Sequence, residues 1–165
     1  MTTTTFRIAQ HDDISLILWF IRELALYEKL EHEVSATEEL LEDWLFKKNA
    51  AEVIFAMAGG KEIGFALFFP TFSTFLGRSG MFLEDLYVLP EHRGRGIGKA
   101  LLRELARISV QRGYGRLEWQ CLNWNTPSIE FYLSLGAQPK SEWTEYRISG
   151  DTLTHLAASG AGTGG

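Results

Sequence analysis

The chain is poor in several things that would otherwise define it. It has one cysteine, Cys121, among 165 residues, so no internal disulfide can staple it. Met1 to Thr5 shows neither the basic nor the apolar region of a signal peptide. Together these set the expectation of a reducing, cytoplasmic setting. No run approaches the roughly 20 apolar residues that a helix needs to cross a bilayer, so no membrane is expected. The net charge of -5 is too acidic for broad contact with a nucleic-acid backbone and is compatible with a cationic substrate. The four histidines, His11, His32, His92 and His155, stand apart without metal-ligand spacing, and no metal is expected.

What is abundant is core-forming material. Apolar residues make up 45% of the chain, with eleven Phe, five Tyr and five Trp, enough for one domain that needs no staples. That domain is expected over residues 1–157, followed by a disordered Gly/Ala/Ser/Thr tail over 158–165.

Periodicity divides the domain. Phe6 to Ala9 alternates as a first strand, and Asp12 or Asp13 is placed to cap a helix with the apolar stripe Ile14, Ile17, Leu18, Ile21, Leu24 and Ala25. Ser35 followed by Glu38 reads as the capping box of a second helix running to about Phe46. Ala51–Ala58 and Glu62–Phe69 are strand-like runs around Gly59-Gly60, a hairpin signal. Met81–Val88 is a third strand, Ile97–Arg112 a helix, and 116–122 a further strand. Strand, turn, helix and strand in that order make a parallel crossover, so the fold class is α/β (α+β), a mixed central sheet flanked by helices. Thr126 and Pro127 are expected to cap and open a short helix that Gly136 closes, with a last strand over Trp143–Ile148 and a last helix over Asp151–Ala157.

The run from Val88 to Leu102 reads as strand, glycine-rich turn and amphipathic helix. Gly94, Gly96 and Gly98 let successive N–H groups turn toward one point, to which the following helix adds the positive end of its dipole. That is a cradle for a pyrophosphate. It is not a Walker loop, because Arg93 stands five residues before Gly98 and Ala100 replaces the magnesium-binding hydroxyl. Nor is it the dinucleotide fingerprint, since Lys99 occupies the third glycine position.

Arg93-x-x-Gly96-x-Gly98 after Leu86-Tyr87-Val88 resembles the acyl-CoA motif of the GCN5-related N-acetyltransferase superfamily. Five blocks in order narrow the resemblance to the diamine acetyltransferase family: Glu23-Leu24-Ala25-x-Tyr27-Glu28, Phe82-Leu83-Glu84-Asp85, Arg93 to Gly98, Trp124-Asn125-x-x-Ser128-x-x-x-Tyr132, and Gly136-Ala137. Ser73 and Phe75 stand where the polyamine enzymes of that family carry an aspartate and a tryptophan, so the chain looks closer to the thialysine-acetylating branch.

The resemblance implies acetyl-CoA as co-substrate, a small cationic amine as acceptor, and a homodimer. An alkylamine with a pKa of roughly 10.4 must lose a proton before it attacks a thioester. Glu84 is the candidate base, directly or through water, with the role of ammonium anchor kept open beside it. Asp85 points to the opposite face of a regular strand, and a bulge would let both carboxylates reach the amine. Tyr132 matches the family's general acid for the departing thiolate. For the cofactor, backbone groups of Leu86, Tyr87 and Val88 are expected to pair with its pantetheine amides, and Gly94, Gly96, Ile97 and Gly98 to cradle its phosphates. Arg93, Arg95 and Lys99 are candidates to neutralise those phosphates, and Asn125 and Ser128 match positions on the pantetheine arm. Tyr27, Glu28, Glu118, Trp119, Gln120 and, more loosely, Glu142 are implied for the acceptor pocket. A spermidine/spermine N1-acetyltransferase, a protein-lysine acetyltransferase and a silent acyl-CoA-binding module are the alternatives. Cys121, in an apolar run with no neighbouring base, reads as core.

Overall fold

Alternation and turn chemistry build a sheet of five strands in a computed structural model that describes residues 4–159. The strands are β1 (Thr5–Ile8), β2 (Glu52–Ala58), β3 (Lys61–Ser73), β4 (Arg78–Val88) and β5 (Leu117–Trp119), lying in that order. The first four pair antiparallel and β5 runs parallel to β4, giving the mixed sheet expected. Gly59 and Gly60 join β2 to β3 with φ of +56° and +76°, the pair of positive angles that a two-residue hairpin favours. The β3–β4 hairpin is longer than its apolar runs suggested, because Pro70 to Ser73 pair with Met81 to Arg78.

The chain divides into two compact units, residues 1–120 and 121–165. In the first, helix α1 (Ile14–Glu28) and the short α2 (Glu38–Leu41), which widens into a π-helical turn over Glu42–Lys47, cover one face of the sheet. Ile17, Phe20 and Leu24 of α1 pack with Val53, Phe55, Phe65, Leu67 and Tyr87 in one buried cluster. The rings of Phe20 and Phe65 stack 5.1 Å apart. Phe20, absent from the expected stripe, is fully buried, whereas Ile21 is only partly so. Helix α3 (Ile97–Gln111) covers the other face through Leu101, Leu102 and Leu105 and makes the crossover from β4 to β5.

Two caps differ from expectation. The Asp13 carboxylate does not cap α1; it accepts from the Gln10 N–H at 2.7 Å and pairs with Arg7 at 2.7 and 2.8 Å, closing the short turn ahead of the helix. Arg7 in turn holds its carboxyl below the usual range. Ser35 does not cap α2, because the chain stays non-helical to Thr37, whose extended backbone lets its Oγ1 accept from the Leu40 N–H at 3.3 Å.

The second unit contains α4 (Thr126–Ser134) and α5 (Gly150–Ala158). Asn125, not Thr126, is the residue at the N-terminal boundary of α4, and Thr126 is already helical. Gly136 ends α4 as expected, at φ +86°, and the Ala137 N–H donates to the Tyr132 carbonyl at 3.2 Å. Trp143–Ile148 forms no strand. Alternation alone cannot make one without a partner, and the described residues of this unit contain no other strand. Ala158 is helical and Ser159 follows it; the rest of the tail reading, over 160–165, lies outside the described residues.

Close approach of β3 and β4 depends on Gly64. A Cβ there would lie 2.8 Å from the Tyr87 carbonyl oxygen and 3.4 Å from Val88, both backbone contacts that cannot swing away. Gly64→Ala is therefore expected to cost about 1–3 kcal/mol, as overpacking does, and to lower the melting temperature measured by circular dichroism.

Candidate active site

Strand β4 carries the site because it changes register halfway along. Leu83 pairs with Phe68 and Asp85 with Leu67, which are neighbours on β3, so Glu84 is an extra residue with no partner. This is a β-bulge. Ahead of it Met81 faces α3, its Sδ 3.5 Å from Ser109 Oγ. Beyond it Asp85 stands in line with Leu67 and Val53, and Tyr87 enters the core beneath α1. Regular alternation would put residues 83 and 85 on one face; the extra residue sends Asp85 to the side of α1. The bulge on which the reach of both carboxylates depends is present.

The end of α1 brings a third carboxylate. Glu28 is its last residue and is partly buried, and burial pushes its carboxyl up. Asp85 is affected more strongly. Desolvation first, then the charges of Glu84 and Glu28, raise it to about 7. Glu84 itself is exposed. Such a group can exchange a proton near neutral pH, and the surrounding negative charge favours a cationic ligand.

Past the bulge, Leu86–Val88 runs extended to the glycine turn. β5 pairs with β4 only along Met81–Leu83, so no described strand lies against the outer edge of Leu86–Val88. Gly94 and Gly96 take left-handed angles of +72° and +78°, and Gly96 is the boundary residue of α3. Gly98, expected as a third turn residue, lies instead in the first helical turn. Two left-handed glycines leading into the N-terminal N–H groups of a 15-residue helix are suited to a pyrophosphate, and the extended edge before them to an amide-bearing arm. These residues fit the binding of CoA. Arg95 and Lys99 are exposed beside the turn.

Arg93 is engaged with the protein. Its Nε donates to the Val88 carbonyl at 2.9 Å, and its guanidinium carbon lies 4.8 Å from the ring centre of Tyr27 and 5.0 Å from that of Tyr87. The five sequence blocks gave no sign of this contact, because Tyr87 lies outside them and Tyr27 and Arg93 stand 66 positions apart. Tyr27 directly precedes Glu28 in the last turn of α1. On β5, Glu118 pairs with Arg116 at 2.7 Å, and Trp119 and Gln120 follow at the strand end.

In the second unit, Asn125 is buried, and Ser128 and Tyr132 are partly buried. Their spacing places all three on one face of α4. The Tyr132 ring lies 5.4 Å from that of Phe131. Glu142 is exposed and pairs with Lys140 at 3.4 Å. Among the described residues no group of His, Cys, Asp or Glu could hold a metal, and no helix is long and apolar enough to cross a membrane.

Known proteins match this chain. A profile described as the acetyltransferase (GNAT) family matches residues 16–137. The thialysine N-epsilon-acetyltransferase of Mus musculus is 35% identical over 169 aligned residues, covering 95% of this chain and 99% of that protein. An L-ornithine N5-acetyltransferase of Arabidopsis thaliana is 42% identical over 90 residues, 54% of this chain and 40% of that one. A solved integron cassette protein from the mobile metagenome of V. cholerae superposes with a TM-score of 0.78 at 29% identity, covering 95% of this chain and 99% of that one.

Proposed function

The chain belongs to the acetyltransferase (GNAT) family and is an acetyltransferase; from that premise we propose that it transfers the acetyl group of acetyl-CoA to the primary amine of a small cationic acceptor, a thialysine- or lysine-like amino acid or a diamine, by direct transfer in a ternary complex. The observation that carries this reading is the bulge at Glu84, which puts a carboxyl raised to about 7 on the side of Glu28, one strand-length before the phosphate cradle.

The roles divide by environment. Glu84, exposed at the bulge, and Glu28 hold the acceptor's positive charge. Asp85 takes the proton from the attacking nitrogen, because a base is most effective when its pKa lies near the working pH. The nitrogen lone pair forms the new C–N bond at the thioester carbon, the C–S bond breaks, and the sulfur takes a proton from the Tyr132 phenol. The nitrogen gives its second proton to solvent, and solvent reprotonates Tyr132 and deprotonates Asp85, so the ammonium and the thioester become an amide, free CoA thiol and one released proton. Backbone groups of Leu86–Val88 pair with the pantetheine amides, and the turn from Gly94 to Gly98 holds the pyrophosphate. The roles of Asn125, Ser128 and Tyr132 rest on their sequence block.

An amino-acid-like acceptor is favoured over a long polyamine by the β3–β4 turn. The Ser73 hydroxyl accepts from the Leu76 N–H at 3.2 Å, and Phe75 is 96% exposed, so neither place offers an anion to a second distant ammonium. The reading includes a cytoplasmic homodimer, for which the exposed rings of Trp143 and Tyr146 supply apolar surface.

CoA-thiol release from acetyl-CoA, measured against thialysine, lysine, ornithine, putrescine, spermidine and spermine, tests the proposal. Turnover is expected to concentrate on the amino-acid acceptors, with kcat/KM at least about tenfold above spermine, the size of one lost charge contact. A preference for spermine would transfer the chain to the polyamine reading. Binding of acetyl-CoA without turnover of any amine would overturn the small-amine assignment.

A further inference from the structure

The first arginine of the glycine motif is placed as a tether. Arg93 sits at the end of the turn after β4, directly before left-handed Gly94, yet its side chain turns back. Three elements meet on it: the Val88 carbonyl at the end of β4, the buried Tyr87 ring of the core, and the Tyr27 ring in the last turn of α1. The two rings are themselves packed edge to face, 6.4 Å apart. A guanidinium is planar, can give Nε–H along its edge and can lie against aromatic faces at the same time; an ammonium cannot do both.

Tyr27 adjoins Glu28, which the proposed function places on the acceptor, and Gly94 opens the turn that it places on the pyrophosphate. We propose that Arg93 is a positioning residue that couples the two substrates: it fixes the glycine turn to the acceptor end of α1, so that ordering of the turn on CoA also orders Tyr27 and Glu28 for the amine. This rests on the assignment of those two sites above. It replaces the sequence expectation that Arg93 neutralises a CoA phosphate. Arg95 and Lys99 remain for that task.

The two roles separate experimentally. Acceptor affinity is measured by calorimetry with and without saturating CoA, and turnover is measured with acetyl-CoA and with acetylpantetheine, which has no phosphate. In the wild type CoA is expected to tighten the acceptor about fivefold or more, the lower end of ordinary coupling. Arg93→Lys keeps the charge but loses the edge donor and the flat stacking. It is expected to bring that ratio to about one and to raise the acceptor KM measured with acetyl-CoA, while the acceptor KM measured with acetylpantetheine, which cannot order the turn, stays unchanged and the affinity for CoA without acceptor stays within about twofold. Tyr27→Leu, which leaves Arg93 in place, should abolish the coupling in the same way and serves if Arg93 variants fold poorly. The tether is overturned if the variants keep the wild-type ratio, if the wild type binds both ligands without coupling, or if Arg93→Lys weakens the binding of CoA without acceptor by more than about tenfold, the loss expected of a direct phosphate contact. A wild type that binds CoA but no amine overturns the acceptor assignment together with the tether.

Discussion

Asp85→Asn is expected to lower kcat/KM by about 100- to 10,000-fold, the range for loss of a positioned base, while acetyl-CoA still binds. The pH profile distinguishes this from simple damage. With Asp85 raised to about 7 by desolvation and by Glu84 and Glu28, the wild type should gain activity as pH rises from 6 to 8, because the carboxylate form accumulates. The variant should lose that rising limb. Glu84→Gln, by contrast, should raise the acceptor KM and leave the limb in place. A limb that persists in Asp85→Asn would transfer the base to Glu84.

The same carboxyl makes an opposite prediction for stability. Its folded-state value of about 7 lies above the ordinary 3.8, so between about pH 4 and 7 the folded chain keeps a proton that the unfolded chain has released. The contribution of Asp85 to stability is therefore full below about pH 4, declines as pH rises to 7, and is flat above. The decline is on the order of a few kcal/mol. Asp85→Asn should remove that dependence and melt higher than the wild type at pH 8. A variant that is both more stable and nearly inactive is the signature of a group held in an unfavourable state for chemistry.

Tyr132→Phe is expected to reduce kcat by about 100-fold or more and to change both Michaelis constants little, since the ring and its packing beside Phe131 are retained. The proposed role of Tyr132 is protonation of the leaving sulfur, and under it the deficit should depend on the leaving group. An acetyl thioester of an acidic aromatic thiol departs without a proton and should be used by the variant nearly as well as by the wild type. An equal deficit with both thioesters would remove Tyr132 from acid catalysis.

Much of this was legible from residue order. The glycine hairpin at 59–60, the crossover from β4 through α3 to β5, and the end of α4 at Gly136 each depend on local chemistry that a sequence displays. Two of the failures share a cause, which is that several side chains competed for one role. Ser35 and Thr37 both offer hydroxyls to α2, Asn125 and Thr126 stand side by side at the start of α4, and only the path of the backbone decides between them. Asp13 looked like a cap because its partner Arg7 lies in another element. The alternation over Trp143–Ile148 was real but had no partner strand in its unit. At the site, the carboxylates and glycines were visible as types, whereas the contact of Arg93 with Tyr27 is long-range and its return onto Tyr87 depends on the path of the turn, so neither carries a local signature.

Glu84 is surplus to the sheet. Leu83 and Asp85 already oppose adjacent residues of β3, so a chain shorter by that one residue would satisfy every rung of the β3–β4 ladder as it stands. The β3–β4 ladder therefore places no pairing demand on position 84, and the proposed roles of its side chain, contact with the acceptor and a charge beside Asp85, are free to select it. Divergence in acceptor preference among chains built this way should concentrate there first, at no cost to the scaffold.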